Sequence, residues 1–548
     1  MKKYIIFALL ALFFIAAGAQ NDTTWPKVFW KYKITINFDL LETYDKGYIV
    51  LNTIRPDGIT EIWTWLVKTD INGEVLWEKT IGNGTHTTGF HFITATDDGG
   101  CVLGGATYLL DYLADPFFMK LNACGEKEWC RIFYQAGPNT AYSGGKNIYP
   151  VPGEDGYIAL VSLWGKEFIP GTGIFKGIWL FRLDNSGDIV WIKNIFDQVD
   201  PNAWNELPYQ MLISGDTNCI ITGSTIYNDY GGPAGKDKPF IMAAGMDGSE
   251  KWWIIYGAND NWWGDVKRSI EDSYGNILTV GWGGNKNVDV CPTLSKTDKY
   301  GNSIFRKYII DSTGYGNAFC INVINDTIYS IGGGWKYPGQ PNHTVIARTD
   351  QNGNLILEKN INESEVLLRS SLKTFDNKEL FSEPFWDGNF IKTYIHKFNY
   401  DLEYDSAYTE PFDYDYKCDN LPIVSDTIGI NDCDVWTALP GEIEYRMAKY
   451  LVIYPNPAEH EITIKLPDAT ADENPWGPMT SRHYNFHYHK NSVLKIFDIY
   501  GKLLNEISLK DIQDNEVKLD VAEYKTGIYL INLFENQKLM ASGKFVKK

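Results

Sequence analysis

The chain has 548 residues, 44% of them hydrophobic and 15% aromatic, and its formal net charge is −19 at neutral pH. This length allows several domains with packed cores. The acid excess argues against electrostatic binding to nucleic acid or anionic lipid, because phosphate groups attract a basic surface. Abundant Trp, Tyr, Gly, Asn and Asp favour strands and tight turns over helices.

The first 19 residues have the pattern of an export signal. Lys2 and Lys3 precede an apolar run that ends at Ala17, and small residues before Gln20 offer a cleavage point. The run is shorter than the roughly 20 apolar residues that a spanning helix needs, and no other stretch approaches that length. We therefore predict Sec-type export to the periplasm, a signal peptide at residues 1–19, and no transmembrane segment.

An Asp- or Asn-containing turn, a glycine and a large apolar residue four positions later recur six times. The glycines are Gly73, Gly125, Gly187, Gly248, Gly301 and Gly353, and the apolar residues are Trp77, Trp129, Trp191, Trp252, Phe305 and Leu357. An Asp at the start of a turn bonds its own backbone, and Gly tolerates the positive φ needed there, so these turns require no calcium ion. The fixed offset predicts one hairpin that is built repeatedly.

A second hairpin precedes each copy, which gives four strands in each unit of about 50 to 60 residues, as is typical of a β-propeller blade. A degenerate seventh unit follows at residues 370–408, with Asn399 and Tyr400 at its turn. We predict an all-β fold in which residues 20–415 form a seven-bladed β-propeller, with six or eight blades as alternatives.

Two segments compete to complete the last blade. The segment KVFWKYKI, residues 27–34, resembles the final strand of a blade, with Trp30 in the place of Trp77, although no earlier strands precede it. The other segment is LEYDSAY, residues 402–408. Either strand would remove a free sheet edge at the seam of the ring.

Four cysteines are candidates for disulfide bonds, because exported proteins usually oxidise such pairs. Cys124 and Cys130 flank a short turn, and Cys418 and Cys433 bracket a connector. We predict one bond within each of these two segments. Cys101 and other cysteines in apolar strands suit the role of small buried hydrophobic residues.

The character of the sequence changes at Leu451. The final 98 residues contain Tyr454-Pro455-Asn456-Pro457, the hairpin DIYGKLL, Thr526-Gly527-Ile528-Tyr529 and a Lys-rich end. Together these motifs resemble the type A C-terminal sorting domain of the type IX secretion system of Bacteroidota. The resemblance implies a small Ig-like β-sandwich at 451–548, preceded by a linker at 416–450. It also implies handling by the type IX translocon and sorting machinery, and a mature protein that is secreted or held on the outer-membrane surface.

No cofactor, metal or catalytic residue is predicted. The repeated Asp-x-x-Gly-x-x-x-Trp pattern resembles the tryptophan docking motif of quinoprotein propellers, which implies packing of Trp on turn peptides, but the cofactor ligands of that family have no counterpart. His483, His487 and His489 cluster, yet exposed polar loops also collect His. Zinc and serine hydrolase motifs are absent from the sequence.

The strand order places the short turns on one face of the ring and the longer connections on the other. The longer connections carry the candidate ligand-binding residues Trp164, Trp204, Trp262, Trp263, Trp282, Trp335 and Trp386. Aromatic side chains there suit stacking on sugars or peptides, and the alternative is packing between blades. We predict a secreted, non-enzymatic interaction module for glycan or protein. The alternative is an extracellular glycoside hydrolase or lyase with carboxylates at the mouth of the ring.

Overall fold

The structure is a computed structural model. It describes residues 25–82, 84, 86–108, 114–133, 144–162, 178–195, 203–227, 236–256, 263–285, 288–362, 368–436, 449–466, 492–498, 502–510, 516–535 and 538–548. These residues form strands and turns without a helix, which confirms the predicted all-β fold. Within the same ranges there is accordingly no helix of the length and apolarity that would cross a membrane. The predicted signal peptide, residues 1–19, lies outside them.

Residues 27–398 build consecutive four-stranded antiparallel units, in which each strand pairs with the next. The first strands of the units are β2 (Ile34–Glu42), β6 (Thr88–Ala95), β10 (Gly144–Pro150), β14 (Ala203–Ile213), β18 (Trp263–Glu271), β22 (Tyr315–Asn325) and β26 (Ser370–Lys373). The second strands are β3 (Tyr48–Arg55), β7 (Cys101–Thr107), β11 (Tyr157–Ser162), β15 (Asn218–Tyr227), β19 (Ile277–Asn285), β23 (Ile328–Lys336) and β27 (Glu379–Trp386).

The outer half of each unit follows the same order. The third strands are β4 (Trp63–Thr69), β8 (Asp115–Leu121), β12 (Ile178–Leu183), β16 (Lys236–Gly245), β20 (Val288–Thr297), β24 (His343–Asp350) and β28 (Ile391–Phe398). The fourth strands are β5 (Val75–Ile81), β9 (Lys127–Phe133), β13 (Ile189–Asn194), β17 (Glu250–Ile255), β21 (Ser303–Tyr308), β25 (Leu355–Asn362) and, for the last unit, β1 (Lys27–Phe29). The first strands of successive units contact one another, and β26 contacts β2, so these strands surround a common axis.

The seam of this ring is closed mainly by the N-terminal segment. Strand β1 pairs antiparallel with β28, with Phe29 opposite Thr393. The competing segment contributes a single bridge between Tyr404 and Phe398. The prediction that Trp30 takes the place of Trp77 is wrong, because Trp30 is 53% exposed while Trp25 is buried against the next turn.

Aromatic residues lock neighbouring units together, as the docking pattern implied. The pairs are Trp25 on Gly73, Trp77 on Gly125, Trp129 on Gly187, Trp191 on Gly248, Trp252 on Gly301 and Phe305 on Gly353. Every one of these glycines has a positive φ. A Cβ atom on Gly125 would lie 2.9 Å from the Trp77 ring, so glycine is required here for both conformation and space.

The turn carboxylates are occupied by their own turns. Oδ1 of Asp70 accepts the backbone N–H groups of Asn72 and Glu74, each at 2.8 Å. In the last unit Asn399 has the same role, and Leu402 takes the positive φ that glycine has elsewhere. This is the turn chemistry expected of Asx turns and it leaves no need for a metal ion.

The segment after the last unit runs back along the outer edges of the first two units. Strands β29 (Asp426–Ile428) and β30 (Asp434–Trp436) pair in parallel with β5 and β9, respectively. All four predicted cysteines form disulfide bonds, but the predicted pairing is wrong: the bonds are Cys124–Cys418 and Cys130–Cys433. The returning segment brings each of its cysteines to the second unit, so that both bonds join the connector to the ring.

The C-terminal strands form two sheets around one core. They are β31 (Lys449–Tyr450), β32 (Val452–Tyr454), β33 (Glu461–Lys465), β34 (Ser492–Asp498), β35 (Leu503–Ser508), β36 (Glu516–Asp520), β37 (Gly527–Glu535) and β38 (Lys538–Lys547). One sheet has the order β31-β38-β37-β34-β35 and the other β32-β33-β36. Ile462 and Leu494, one from each sheet, are fully buried in the shared core.

Candidate functional site

The first strands are interrupted at one equivalent position. In each of the first six units the pairing of the first strand with the second shifts by one residue near the middle of the strand. In the last unit the residue before β26 has that place, and its N–H donates to the carbonyl of Ser382 at 2.9 Å. The residues at this position, which we call the axial collar, are Phe38, His91, Lys146, Tyr209, Lys267, Phe319 and Arg369.

The collar residues belong to or directly precede the first strands, which surround the axis of the ring. Six of them are half-buried and Arg369 is exposed, whereas the residues that flank them are mostly buried. A β-bulge re-aims a side chain out of the pleat and is frequent beside functional sites. Repetition of the bulge in the first six units therefore re-aims one side chain in each of them, and Arg369 holds the equivalent place in the last unit.

Contacts between neighbours support this arrangement. The rings of Phe38 and His91 stack with their centroids 4.4 Å apart. The guanidinium of Arg369 lies 5.5 Å from the centre of the Phe38 ring, and Nζ of Lys267 lies 4.4 Å from the centre of the Tyr209 ring. Each of these pairs joins side chains from adjacent units, as a single collar requires.

An ion pair lies next to the collar. Arg268, from β18, reaches Oδ1 of Asp39, from β2, at 2.8 Å, and the guanidinium lies 5.6 Å from the ring centre of Phe92. Ser370 also donates to Asp39, at 2.8 Å. Asp39 and Arg268 each directly follow a collar residue in the sequence. Each first strand runs from a longer connection on one face of the ring toward a short turn on the other face. The ion pair is therefore one residue farther from the long-connection face than the collar.

The electrostatics of the collar are asymmetric. Lys267 forms an ion pair with Asp265 at 2.6 Å, and burial raises the pKa of that carboxyl although Lys267 opposes the shift. Lys146 and Arg369 form no ion pair with any other residue that the structure describes, and desolvation lowers the pKa of both groups. Burial, reinforced by the charges of Lys146 and Arg369, lowers the pKa of His91 to about 3. At neutral pH this side therefore holds a neutral imidazole between the basic side chains of Lys146 and Arg369.

The predicted tryptophans have different environments. Trp164 and Trp262 lie outside the described residues, as does the side chain of Trp204, which belongs to β14. Trp263 and Trp282 are half-buried, and the indole of Trp282 bonds to Asp265. Trp335 is 1% exposed, whereas Trp386 is 64% exposed. The described tryptophans therefore include both packing residues and a residue that a ligand can reach.

The predicted sorting motifs lie at the edge and in the core of the C-terminal sheets. Tyr454 is exposed and its hydroxyl donates to Glu516 at 2.8 Å, next to Pro455 and Pro457. Asn456 exchanges two hydrogen bonds at 2.9 Å with the backbone of β38. Gly527 begins β37, and the buried Tyr529 donates to the carbonyl of Lys525 at 2.7 Å. The motif residues thus join the chain segments of this domain.

Two other clusters do not form a site. A cavity of about 650 Å³ on the short-turn face is lined by acidic turns, but Asp98 is paired with Lys120 and Glu154 with Arg182. Cys130, Asp432 and Cys433 come together, but the disulfide bond leaves neither sulfur as a thiolate ligand. The histidine cluster at 483–489 lies outside the described residues.

Comparison with known families assigns the C-terminal part. Residues 452–548 match the secretion system C-terminal sorting domain family. The recognition made from the tail motifs is confirmed, and this sorting domain implies export followed by secretion or attachment to the cell surface. A search of curated proteins finds no match to the chain.

Solved structures resemble the ring only loosely. An ulvan lyase matches with a TM-score of 0.43 and 8% identity, over 68% of this chain and 91% of the lyase. An α-L-arabinanase of Penicillium chrysogenum matches with a TM-score of 0.36 and 7% identity, over 68% and 98% of the two chains. An intramolecular trans-sialidase of Ruminococcus gnavus gives 0.36 and 9%, over 71% and 100%. These values are too low to transfer an activity or a substrate.

The collar was missed in the sequence because its residues share no chemical type. Six of them stand in the first strand of a unit and Arg369 directly precedes β26. In all units but the sixth the collar residue lies four positions before the last residue of the first strand, so a repeat alignment anchored on the following turn could have indicated them. Periodicity alone could not, because a bulge reverses the expected alternation of faces.

Proposed function

We propose that this protein is a secreted or surface-attached interaction module, exported by the type IX secretion system, that binds a glycan or a protein at the long-connection face of its ring. The axial collar is the observation that carries this proposal. It gathers cations and aromatic side chains from every unit at one place, and a concave site with a few convergent polar groups is the usual form of a binding site.

The proposed domain organisation follows the repeat. Residues 1–19 are a signal peptide, residues 20–415 form a seven-bladed β-propeller, and residues 451–548 form an Ig-like sandwich. The closed succession of contacts among the first strands supports seven blades. Residues 416–450 act as a linker, and its part up to Trp436 is held on the ring by two disulfide bonds and two added strands.

Export is tested by deletion of the sorting domain. A chain that lacks residues 451–548 is expected to accumulate in the periplasm, because the translocon no longer recognises it, while the full chain reaches the surface or the medium. Cell fractionation and immunoblotting measure this, with a periplasmic marker protein as the control for leakage. Delivery of the truncated chain to the surface would contradict the proposed export route.

Binding is tested with the full chain on a glycan array and by capture of extracellular proteins. Replacement of the half-buried Trp263 by Ala is expected to weaken binding, since this residue begins β18 on the long-connection face. Tyr300, which is 69% exposed in a turn of the opposite face, provides the control variant Tyr300→Ala. Equal loss of binding in both variants would count against the proposed face.

The alternative proposal is an extracellular glycoside hydrolase or lyase. One observation favours it: the raised pKa of Asp265 suits a general acid, and this residue lies on the long-connection side of the collar. A hydrolase also needs a second carboxylate. Asp39 is already held by Arg268 and Ser370. Asp237, by contrast, lies close enough to Asp265 to raise its pKa further, and burial raises the pKa of Asp237 itself. Release of reducing ends from a polysaccharide panel, lost in Asp265→Asn, would establish the enzymatic alternative.

A further inference from the structure

One part of the collar contains two basic side chains that form no ion pair with any other described residue. This part consists of Arg369, Phe38, His91 and Lys146. These residues come from four consecutive units around the ring: Arg369 precedes β26 in the last unit, and the others belong to β2, β6 and β10 in the first three units. Phe38 lies between the His91 ring at 4.4 Å and the Arg369 guanidinium at 5.5 Å. The aromatic ring thus fixes the spacing between the histidine and the arginine.

The positive charges in this part have no acidic partner among the described residues. Nearby acids are already used: Asp39 pairs with Arg268, and Asp265 pairs with Lys267. Lys146 and Arg369 therefore lie beside His91 without a carboxylate partner among the described residues. In a protein with a net charge of −19, two basic side chains beside one imidazole and without a carboxylate partner among the described residues are not explained by the stability of the fold.

We infer that Lys146 and Arg369 form a binding site for the carboxylate of an acidic sugar, such as a uronic acid residue of a polysaccharide. This inference rests on the proposed function and specifies its ligand. A planar guanidinium binds a carboxylate through two parallel hydrogen bonds, and the lysine adds a point charge. The partly desolvated setting strengthens both interactions relative to bulk water.

A sugar carboxylate fits this site better than an acidic side chain of a folded protein. The site lies at the axis rather than on the outer surface, and the Asp39–Arg268 ion pair spans the ring on the side of the short turns. An occupant therefore enters from the long-connection face, where Trp263 and Trp282 are half-buried. Aromatic residues along such an approach suit a slender saccharide chain.

The pKa of His91 provides a second way to detect ligand binding. Its pKa is low because burial and two cations oppose its protonation. A bound carboxylate would neutralise part of this charge, so the pKa of His91 is expected to rise when ligand binds. An NMR titration of the His91 ring in the full chain, with and without ligand, measures this rise.

The inference is tested by calorimetric titration of the full chain with trigalacturonate, and with neutral galactotriose as the matched uncharged probe. The trisaccharide with carboxylates is expected to bind, with an affinity that falls as salt is added. Lys146→Met and Arg369→Met are each expected to weaken binding by about tenfold or more, as for loss of a charge-assisted hydrogen bond. Lys299→Met, at an exposed turn on the short-turn face, is expected to bind unchanged.

The outcomes separate this inference from the proposed function. Binding of neutral glycans or of a protein without binding of trigalacturonate would overturn the acidic-sugar site and leave the interaction module in place. Equal affinity of the wild type and both collar variants would also overturn it. Thermal melting controls for folding: removal of an uncompensated charge is expected to leave the melting temperature unchanged or raise it, so weak binding by a stably folded variant supports the site.

Discussion

Asp39 and Arg268, which are 229 positions apart in the sequence, form a 2.8 Å ion pair between the first and fifth units of the ring. The pair is largely shielded from solvent, with side chains 12% and 16% exposed. It joins two strands that do not pair with each other, and it fixes the depth of the space beside the collar. The depth of the proposed binding site therefore depends on this contact.

Removal of one partner of this pair should destabilise the ring more than removal of both. Arg268→Met leaves Asp39 partly buried without its cation, and we expect a loss of about 2–3 kcal/mol of unfolding free energy. The double variant Asp39→Leu/Arg268→Met should recover most of that loss. Chemical denaturation of the full chain measures the cycle. Additive losses in the double variant would show that the two residues do not interact.

The contact of Trp77 with Gly125 predicts a difference between two glycine substitutions. Gly125→Ala must accept a positive φ and also displace the Trp77 ring, whereas Gly153 has a similar φ of 75° and open space around its Cβ position. We expect Gly153→Ala to cost about 1 kcal/mol and Gly125→Ala about 1–3 kcal/mol more, from strain and overpacking. Equal melting temperatures for the two variants would contradict the packing role of Trp77.

The disulfide bonds predict specific cross-linked peptides. Proteolysis without reduction, followed by mass spectrometry, should yield a peptide that joins Cys124 to Cys418 and another that joins Cys130 to Cys433. The variant Cys130→Ala/Cys433→Ala should lose about 2–4 kcal/mol of stability, as is typical of disulfide removal. Replacement of the buried free thiol Cys219 by Ala provides a control for cysteine loss alone. A peptide joining Cys124 to Cys130 would contradict the connector's path.

His91 predicts a contribution to the pH dependence of stability. Its pKa of about 3 in the folded chain lies below the ordinary value of 6.5, so the unfolded state binds more protons between these two values. Stability should therefore fall as the pH drops from about 6.5 towards 3, by up to about 1.4 kcal/mol per pH unit from this residue. Lys146 and Arg369, from β10 and the residue before β26, face His91 and oppose its protonation.

The variant His91→Gln cannot take up this proton. Its melting temperature should decline less steeply than that of the wild type between pH 6.5 and pH 4, because every other titrating group is shared by the two proteins. Parallel curves for the two proteins would show that His91 is not held in the neutral form.

Local chemistry made part of this molecule predictable. Asp70 and Gly73 indicate a turn because their side-chain and backbone properties act within a few residues, and the offset to Trp77 then indicates the repeat. The disulfide partners were not predictable, because Cys418 finds Cys124 only once the connector runs along the outer edge of the second unit. Trp25 and Trp30 are both near enough to the seam in sequence to take the place of Trp77 in the last unit. Only the pairing of β1 decides that Trp25 packs on the next turn.

The collar illustrates a different difficulty. A bulge sets the direction of the Lys146 side chain, and the start of β26 sets that of Arg369, without any change in composition that a single sequence would show. Trp335 is the next-to-last residue of β23 and Trp386 the last residue of the equivalent strand β27. One is buried and the other exposed, because their burial depends on the neighbouring connections. Such positions are decided by register and long-range packing rather than by residue type.

The most direct test of the account is a crystal structure of the full chain with bound trigalacturonate. We predict a sugar carboxylate with its oxygen atoms about 2.7–3.2 Å from the Arg369 guanidinium and the Lys146 ammonium group, as for charge-assisted hydrogen bonds. An unoccupied collar with the trisaccharide bound elsewhere on the protein would contradict the account.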